Sequence, residues 1–220
     1  EDMAEAINER VDSSQWLCGC FDWSKGANKV NPTDAAQYAR DTAAAILAKA
    51  ILRLGANFKH IHLIGHSGGC WAVSEAAKIL AGQTDADLHL TFFDAYVPLS
   101  WEQSELGNIQ TREGVKLWVE HYYTRDYTLE WTEVDLSFAH NVDVTNIDQR
   151  LKDHNFPWRW YYATITGKYP KSAFSHNDKV NCAADGIEYG FARSREASGA
   201  HNWRKSMELP IGNKAVEFGL

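Results

Sequence analysis

The sequence predicts an α/β fold, with a mostly parallel sheet covered by helices on both faces. Two patterns predict it. Strand-length apolar runs at residues 60–64, 88–93 and 115–123 alternate with segments of helical spacing, the order expected of βαβ units. The first of these runs passes through Gly65-His66-Ser67-Gly68-Gly69 directly into an alanine-rich stretch, 70–80, so a strand and a helix meet there in a tight turn. A chain of 220 residues, 45% of them hydrophobic, is long enough to close one sizeable core.

Taken in order, residues 3–11 read as the end of a helix. Residues 16–21 form a short apolar run of strand length, and Asp22-Trp23-Ser24 opens a loop containing Gly26 and Asn28. Pro32 stands at a first helical position with Asn31 before it as a cap. Ala35, Tyr38, Ala39, Thr42, Ala45, Ile46 and Lys49 then recur at helical spacing, and Gly55 stops the run after Leu54. Residues 60–64 read as a strand, 70–80 as a helix, and 88–93 and 115–123 as further strands. Residues 156–166 read as an aromatic helix with Pro157 in its first turn. The polar stretch from Ser175 onward has no assignable pattern, so residues 1–170 are expected to form the domain and 171–220 an extension.

Composition excludes some functions. The balance is acidic, 29 Asp and Glu against 22 Lys and Arg, for a net charge of −7. A phosphate backbone is held by clustered Lys and Arg, and this chain has no such run, which argues against nucleic acid. No apolar stretch approaches the roughly 18 residues of a membrane span. Cys18 and Cys20 are two apart in the expected strand, share a face and cannot easily bridge each other. With no C-x-x-C pair, the four cysteines (Cys18, Cys20, Cys70 and Cys182) read as buried free thiols.

The segment 61–70 carries the chemistry. A serine at a tight strand-to-helix turn is held in a strained backbone conformation that exposes its hydroxyl, and glycines two before and two after relieve crowding. The helix that starts there aims free N–H groups and its positive dipole end at the site. Ser67 is thus the candidate nucleophile. The Gly68 N–H is a candidate donor to the oxyanion of a tetrahedral intermediate.

A serine nucleophile needs a histidine to take its proton and an acid to orient that histidine. On an α/β sheet the chain order is serine, acid, histidine, with the acid in a loop after a later strand. Asp94 directly follows the run 88–93 and is the leading acid, with Asp126, one strand later, as competitor. His154 follows both in the polar loop Lys152-Asp153-His154-Asn155, before the aromatic helix, and is the leading base. His176 and His201 are later alternatives. His66, beside the nucleophile, reads as a pocket-shaping residue. His89, His121 and His140 come too early or lie in strands. His60 and His62 are spaced like a metal pair, but no third ligand stands at a sensible spacing, so they read as packing or surface residues.

With these residues in view, the chain resembles the pancreatic-lipase-like branch of the α/β-hydrolases, especially its bacterial members. The resemblance rests on residues 60–69, the Asp22-Trp23-Ser24 loop and the helix after it. It rests also on Phe93-Asp94-Ala95, Glu120-His121-Tyr122-Tyr123, Asn141-Val142-Asp143-Val144, and His154 followed by Trp158, Trp160 and Tyr161. It covers residues 10–166. The family places its acid after the strand that follows the nucleophile helix, which favours Asp94 over Asp126. Ala95 stands where the family often has proline. Relatives also carry upstream strands and a His-Gly-type loop that donates a second oxyanion N–H. Only about 15 residues precede the run ending at Phe21, so the resemblance implies an amino-terminally truncated α/β-hydrolase sheet with an exposed apolar edge.

The resemblance implies hydrolysis of a carboxylic ester, soluble or lipid, through an acyl-enzyme. Ser67 would attack, His154 act as base and then acid, Asp94 orient it and Gly68 bind the oxyanion. No cofactor or metal is expected, and a secreted or extracytoplasmic setting is favoured. An acyltransferase or peptidase using the same triad is the alternative within the class, and a non-catalytic binding protein the alternative outside it.

Overall fold

The computed structural model describes residues 2–125, 131–145, 154–167, 169 and 190–191, together with the backbone of residues 207 and 208. The elements are α1 (Asp2–Asn8), α2 (Ser24–Ala27), α3 (Pro32–Tyr38), a π-helical turn (Ala39–Ala43), α4 (Ala44–Arg53), β1 (His60–His66), α5 (Gly69–Ala81) and β2 (Asp87–Phe93). They continue with a 3₁₀ turn (Gln103–Glu105), β3 (Leu117–Tyr123), β4 (His140–Asp143), α6 (Phe156–Thr166) and β5 (Met207–Glu208).

The strands form one parallel sheet in the order β1-β2-β3-β4-β5, with β5 only two residues long. Parallel strands need a crossover between them, and α5 supplies the one from β1 to β2. On one sheet face Ile61, Leu63, Leu88, Leu90, Phe92 and Val119 pack with α5 and the buried alanines of α3 and α4. On the other, Phe93, Tyr122 and Val142 pack with Ala6 of α1 and with Phe156, Trp160 and Tyr161 of α6. Both faces therefore carry helices, as the α/β pattern predicts. β2 and β3 are buried from their second residue on, the mark of central parallel strands. β1 alternates half-buried and buried, as a strand at the edge of the described sheet.

Local signals place most elements. Asn31 caps α3, its Oδ1 accepting the Thr33 N–H at 2.9 Å, with Pro32 in the first turn. The helix expected through 54 is interrupted at Ala39–Ala43, where the Ala44 N–H reaches back five residues to the Ala39 carbonyl. That π turn re-aims the helix while keeping Ala39, Ala43, Ala44 and Ala48 in the core. Gly167 ends α6 in the left-handed conformation, φ 75°.

Residues 16–21 are a correction. They form no strand. Among the described residues they have no ladder partner, and Trp16 and Leu17 remain 42% and 67% exposed. An apolar run becomes a strand only when a neighbour takes its backbone groups. Of this run Phe21 packs against the core, as does Trp23 just after it. The cysteine reading changes with it, because Cys18 is half-buried and Cys20 exposed. Cys70 is buried and free as expected, and burial raises its thiol pKa well above the usual range. Cys182 lies outside the described residues. The strands β4 and β5, which have no pattern of their own in the sequence, are described long-range elements that were missed. No helix among the described residues is long and apolar enough to cross a membrane.

Candidate active site

The turn between β1 and α5 holds Ser67 at φ 54°, a left-handed conformation that costs a non-glycine residue energy and persists only where its surroundings enforce it. One enforcing contact is from the Ser67 N–H to the carbonyl of Phe93, the last residue of β2, at 2.9 Å. Another is close packing at Gly65. A Cβ there would lie 2.9 Å from the Gly69 carbonyl oxygen, 2.9 Å from Val73 Cγ2 and 3.0 Å from Cys70 Cα. Only glycine lets helix and strand approach this closely. The second flanking glycine is different. A Cβ on Gly69 would meet nothing nearer than the Trp23 ring at 3.5 Å, an ordinary contact. Steric need therefore explains Gly65 and not Gly69. Gly68 caps the helix, and its N–H donates to no backbone acceptor among the described residues.

Asp94 follows β2 directly and is also left-handed, at φ 39°, its N–H held by the Tyr122 carbonyl at 2.9 Å. Its carboxylate is fully buried. Oδ1 accepts the Thr124 N–H at 2.7 Å, and Oδ2 accepts the Thr124 hydroxyl at 3.3 Å. Oδ2 also lies 3.1 Å from His154 Nδ1. That contact fixes the tautomer, because the carboxylate accepts and Nδ1 must carry the proton. In the neutral ring the lone pair is then on Nε2. Asp126, the competing acid, lies outside the described residues.

His154 arrives immediately before α6, whose Trp160 and Tyr161 are buried in the second core cluster. A packed helix thus anchors the loop that delivers the imidazole. His66 helps to hold it, its Nε2 lying 2.9 Å from the His154 carbonyl with the two rings 4.6 Å apart. A carbonyl only accepts, so His66 Nε2 is the donor. Ser67 and Asp94 leave neighbouring parallel strands at the same end of the sheet, in register at His66 and Phe93, and His154 is bonded to the second of them. Among the described residues the Ser67 hydroxyl makes no hydrogen bond to His154. His176 and His201 lie outside the described residues.

A second layer supports the acid. The Ala95 N–H donates to His121 Nε2 at 3.2 Å, so Nδ1 carries the ring proton and donates to Asn141 Oδ1 at 3.1 Å. Asn141 in turn donates to the Leu136 carbonyl. Burial pulls the His121 pKa down to about 4, which keeps this ring neutral and able to accept. Sequence reading passed over His121 as a strand residue. Its support of Ala95 depends on pairing between β2 and β3, which no local pattern reveals.

No family model matches the chain, and no curated protein matches it either. The site is therefore read from its own geometry.

Two further features lie apart from the triad geometry. A cleft of about 300 Å³ is lined by Phe21, Trp23, Tyr38 and Ile46 among others, with the Trp23 ring reaching to Gly69. Across β1, β2 and β3, His62 lies beside His89 and Glu120, with one donor atom from each of the three side chains within 4.8 Å of the others.

Proposed function

We propose that the chain is a serine hydrolase of carboxylic esters, of the α/β-hydrolase kind and resembling the pancreatic-lipase-like branch, with Ser67, His154 and Asp94 as its triad. One observation carries the reading. A strained, left-handed serine at the head of a helix stands one strand away from a buried carboxylate already bonded to an imidazole.

The chemistry follows from the proton positions. His154 Nε2 takes the proton of Ser67 Oγ as that oxygen bonds to the ester carbonyl carbon. The carbonyl π pair moves onto oxygen, and the Gly68 N–H and the α5 N-terminus face the charge. His154 becomes an imidazolium, stabilised by Asp94, whose two oxygens are held by Thr124. The ester C–O bond then breaks, and His154 returns the proton to the leaving alcohol. Water repeats the sequence against the acyl-serine and frees the acid. His66 and His121 touch no reacting atom in this scheme. They position the base and the acid loop.

A p-nitrophenyl ester tests the reading. An acyl-enzyme route predicts a burst of p-nitrophenolate stoichiometric with protein when deacylation is slow, absent from Ser67→Ala. Steady turnover that survives Ser67→Ala would remove the proposal. Transfer of the acyl group to an added alcohol faster than to water would make the chain an acyltransferase on the same triad.

A further inference from the structure

Outside the triad, one face of the sheet carries an unusual polar group. β1, β2 and β3 are in parallel register, with His62 opposite His89 and Thr91 opposite Glu120. Side chains of alternate residues share a face, so His60, His62, His89, Thr91 and Glu120 point to the same side. His89, Thr91 and Glu120 are fully buried. A ring nitrogen of His62, one of His89 and a carboxylate oxygen of Glu120 all lie within 4.8 Å of one another.

We infer that His62, His89 and Glu120 bind one divalent transition-metal ion of the zinc type. Two imidazoles and a carboxylate match zinc, whose sites combine nitrogen and oxygen ligands in sets of three or four. The ligands have outer partners of the kind that orient metal sites. The Thr91 hydroxyl sits 2.8 Å from His62 Nε2 and donates to Glu120 Oε1 at 2.9 Å, while the Tyr122 hydroxyl donates to Glu120 Oε2 at 2.8 Å. Among the described residues the buried Nδ1 of His89 has no hydrogen-bond partner.

The arrangement also states what loading requires. His89 Nε2 now lies 3.0 Å from Glu120 Oε1, and the rings of His62 and His89 are stacked at 3.8 Å and 3°. An ion exchanges that hydrogen bond for coordination and tilts one ring so that the lone pairs converge. His60, its ring 5.6 Å from that of His89, is the nearest further imidazole. His62 precedes Ser67 by five residues, about 16 Å along a strand, so the ion takes no part in chemistry at Ser67. Its role is to clamp β1, β2 and β3 together.

Metal-free protein should take up one equivalent of zinc. At about 100 times the dissociation constant, the melting temperature should rise by roughly 5–10 °C. Cobalt in its place should give the visible absorption of a low-coordinate nitrogen–oxygen site. His62→Gln and Glu120→Gln should each abolish the uptake and the shift. X-ray absorption on zinc-loaded wild type should show scattering from two imidazoles, a readout that holds even if a variant does not fold. No stoichiometric uptake, a spectrum without imidazole, or uptake unchanged in both variants would overturn the inference. None of these readouts depends on ester hydrolysis.

Discussion

Gly65→Ala puts a Cβ 2.9 Å from the Gly69 carbonyl oxygen and from Val73 Cγ2, and 3.0 Å from Cys70 Cα. Relaxed carbon contacts lie at about 3.5–4.0 Å, so the overlap with the two carbons is about 0.5–1 Å. Two of the three atoms belong to the α5 backbone and cannot rotate away, so the helix must move from the strand. Overpacking of this kind costs about 1–3 kcal/mol. For a chain of this length each kcal/mol lowers the melting temperature by roughly 2–4 °C, which gives a fall of roughly 2–12 °C. Gly69→Ala has the opposite expectation. Its Cβ meets the Trp23 ring at 3.5 Å, an ordinary contact, and alanine is the better helix residue by roughly 0.5–1 kcal/mol. Its melting temperature should stay level or rise. Turnover should separate the pair further, since displacing a catalytic group by about 1 Å can cost about 10²-fold. Circular-dichroism melts with p-nitrophenyl acetate assays on both variants check this. A Gly65→Ala protein as stable as wild type, or a fall confined to Gly69→Ala, would refute the packing argument.

Asp94→Asn should lower turnover by about 10⁴, the loss typical of a triad acid, whereas Asp126→Asn should leave turnover near wild type; the reverse result in steady-state kinetics would move the acid one strand later. His66→Ala should lower turnover by about tenfold through loss of one hydrogen bond to the base loop, and His66→Gln should recover part of it; equal rates for Ala and wild type would make His66 a bystander. Stability should fall as pH drops from 6.5 to about 4, because His121 is neutral in the fold with its pKa at about 4, while in the unfolded chain it takes up a proton near 6.5. The unfolded state then binds more protons, and the loss reaches about 3 kcal/mol from this group. Urea unfolding between pH 7 and 4 checks it, with His121→Gln expected to flatten the slope.

The parts of this account legible in the sequence were those with local causes. β1, α5 and β2 showed as alternating apolar runs, and the glycines around Ser67 marked the turn that joins the first two. Asn31 and Pro32 announced α3 before any tertiary contact was known. Asp94 and His154 are candidates from chain order, from their loops and from the family resemblance, and in the structure His154 Nδ1 lies 3.1 Å from Asp94 Oδ2. What stayed hidden depends on neighbours. Residues 16–21 have the composition of a strand but no ladder partner among the described residues. β4 has four residues, three of them polar, and exists because β3 pairs with it. His121 under Ala95, and Glu120 beside His62, are juxtapositions made by parallel register. A one-residue slip would turn each to the opposite face.

The most direct test of the proposed reaction is covalent labelling by a fluorophosphonate, which reacts only with a serine activated by its own base. Intact mass should show one adduct per chain, peptide mapping should place it on Ser67, and both Ser67→Ala and His154→Ala should abolish it. An unlabelled wild-type protein that melts cooperatively, or an adduct on any other residue, would contradict the account.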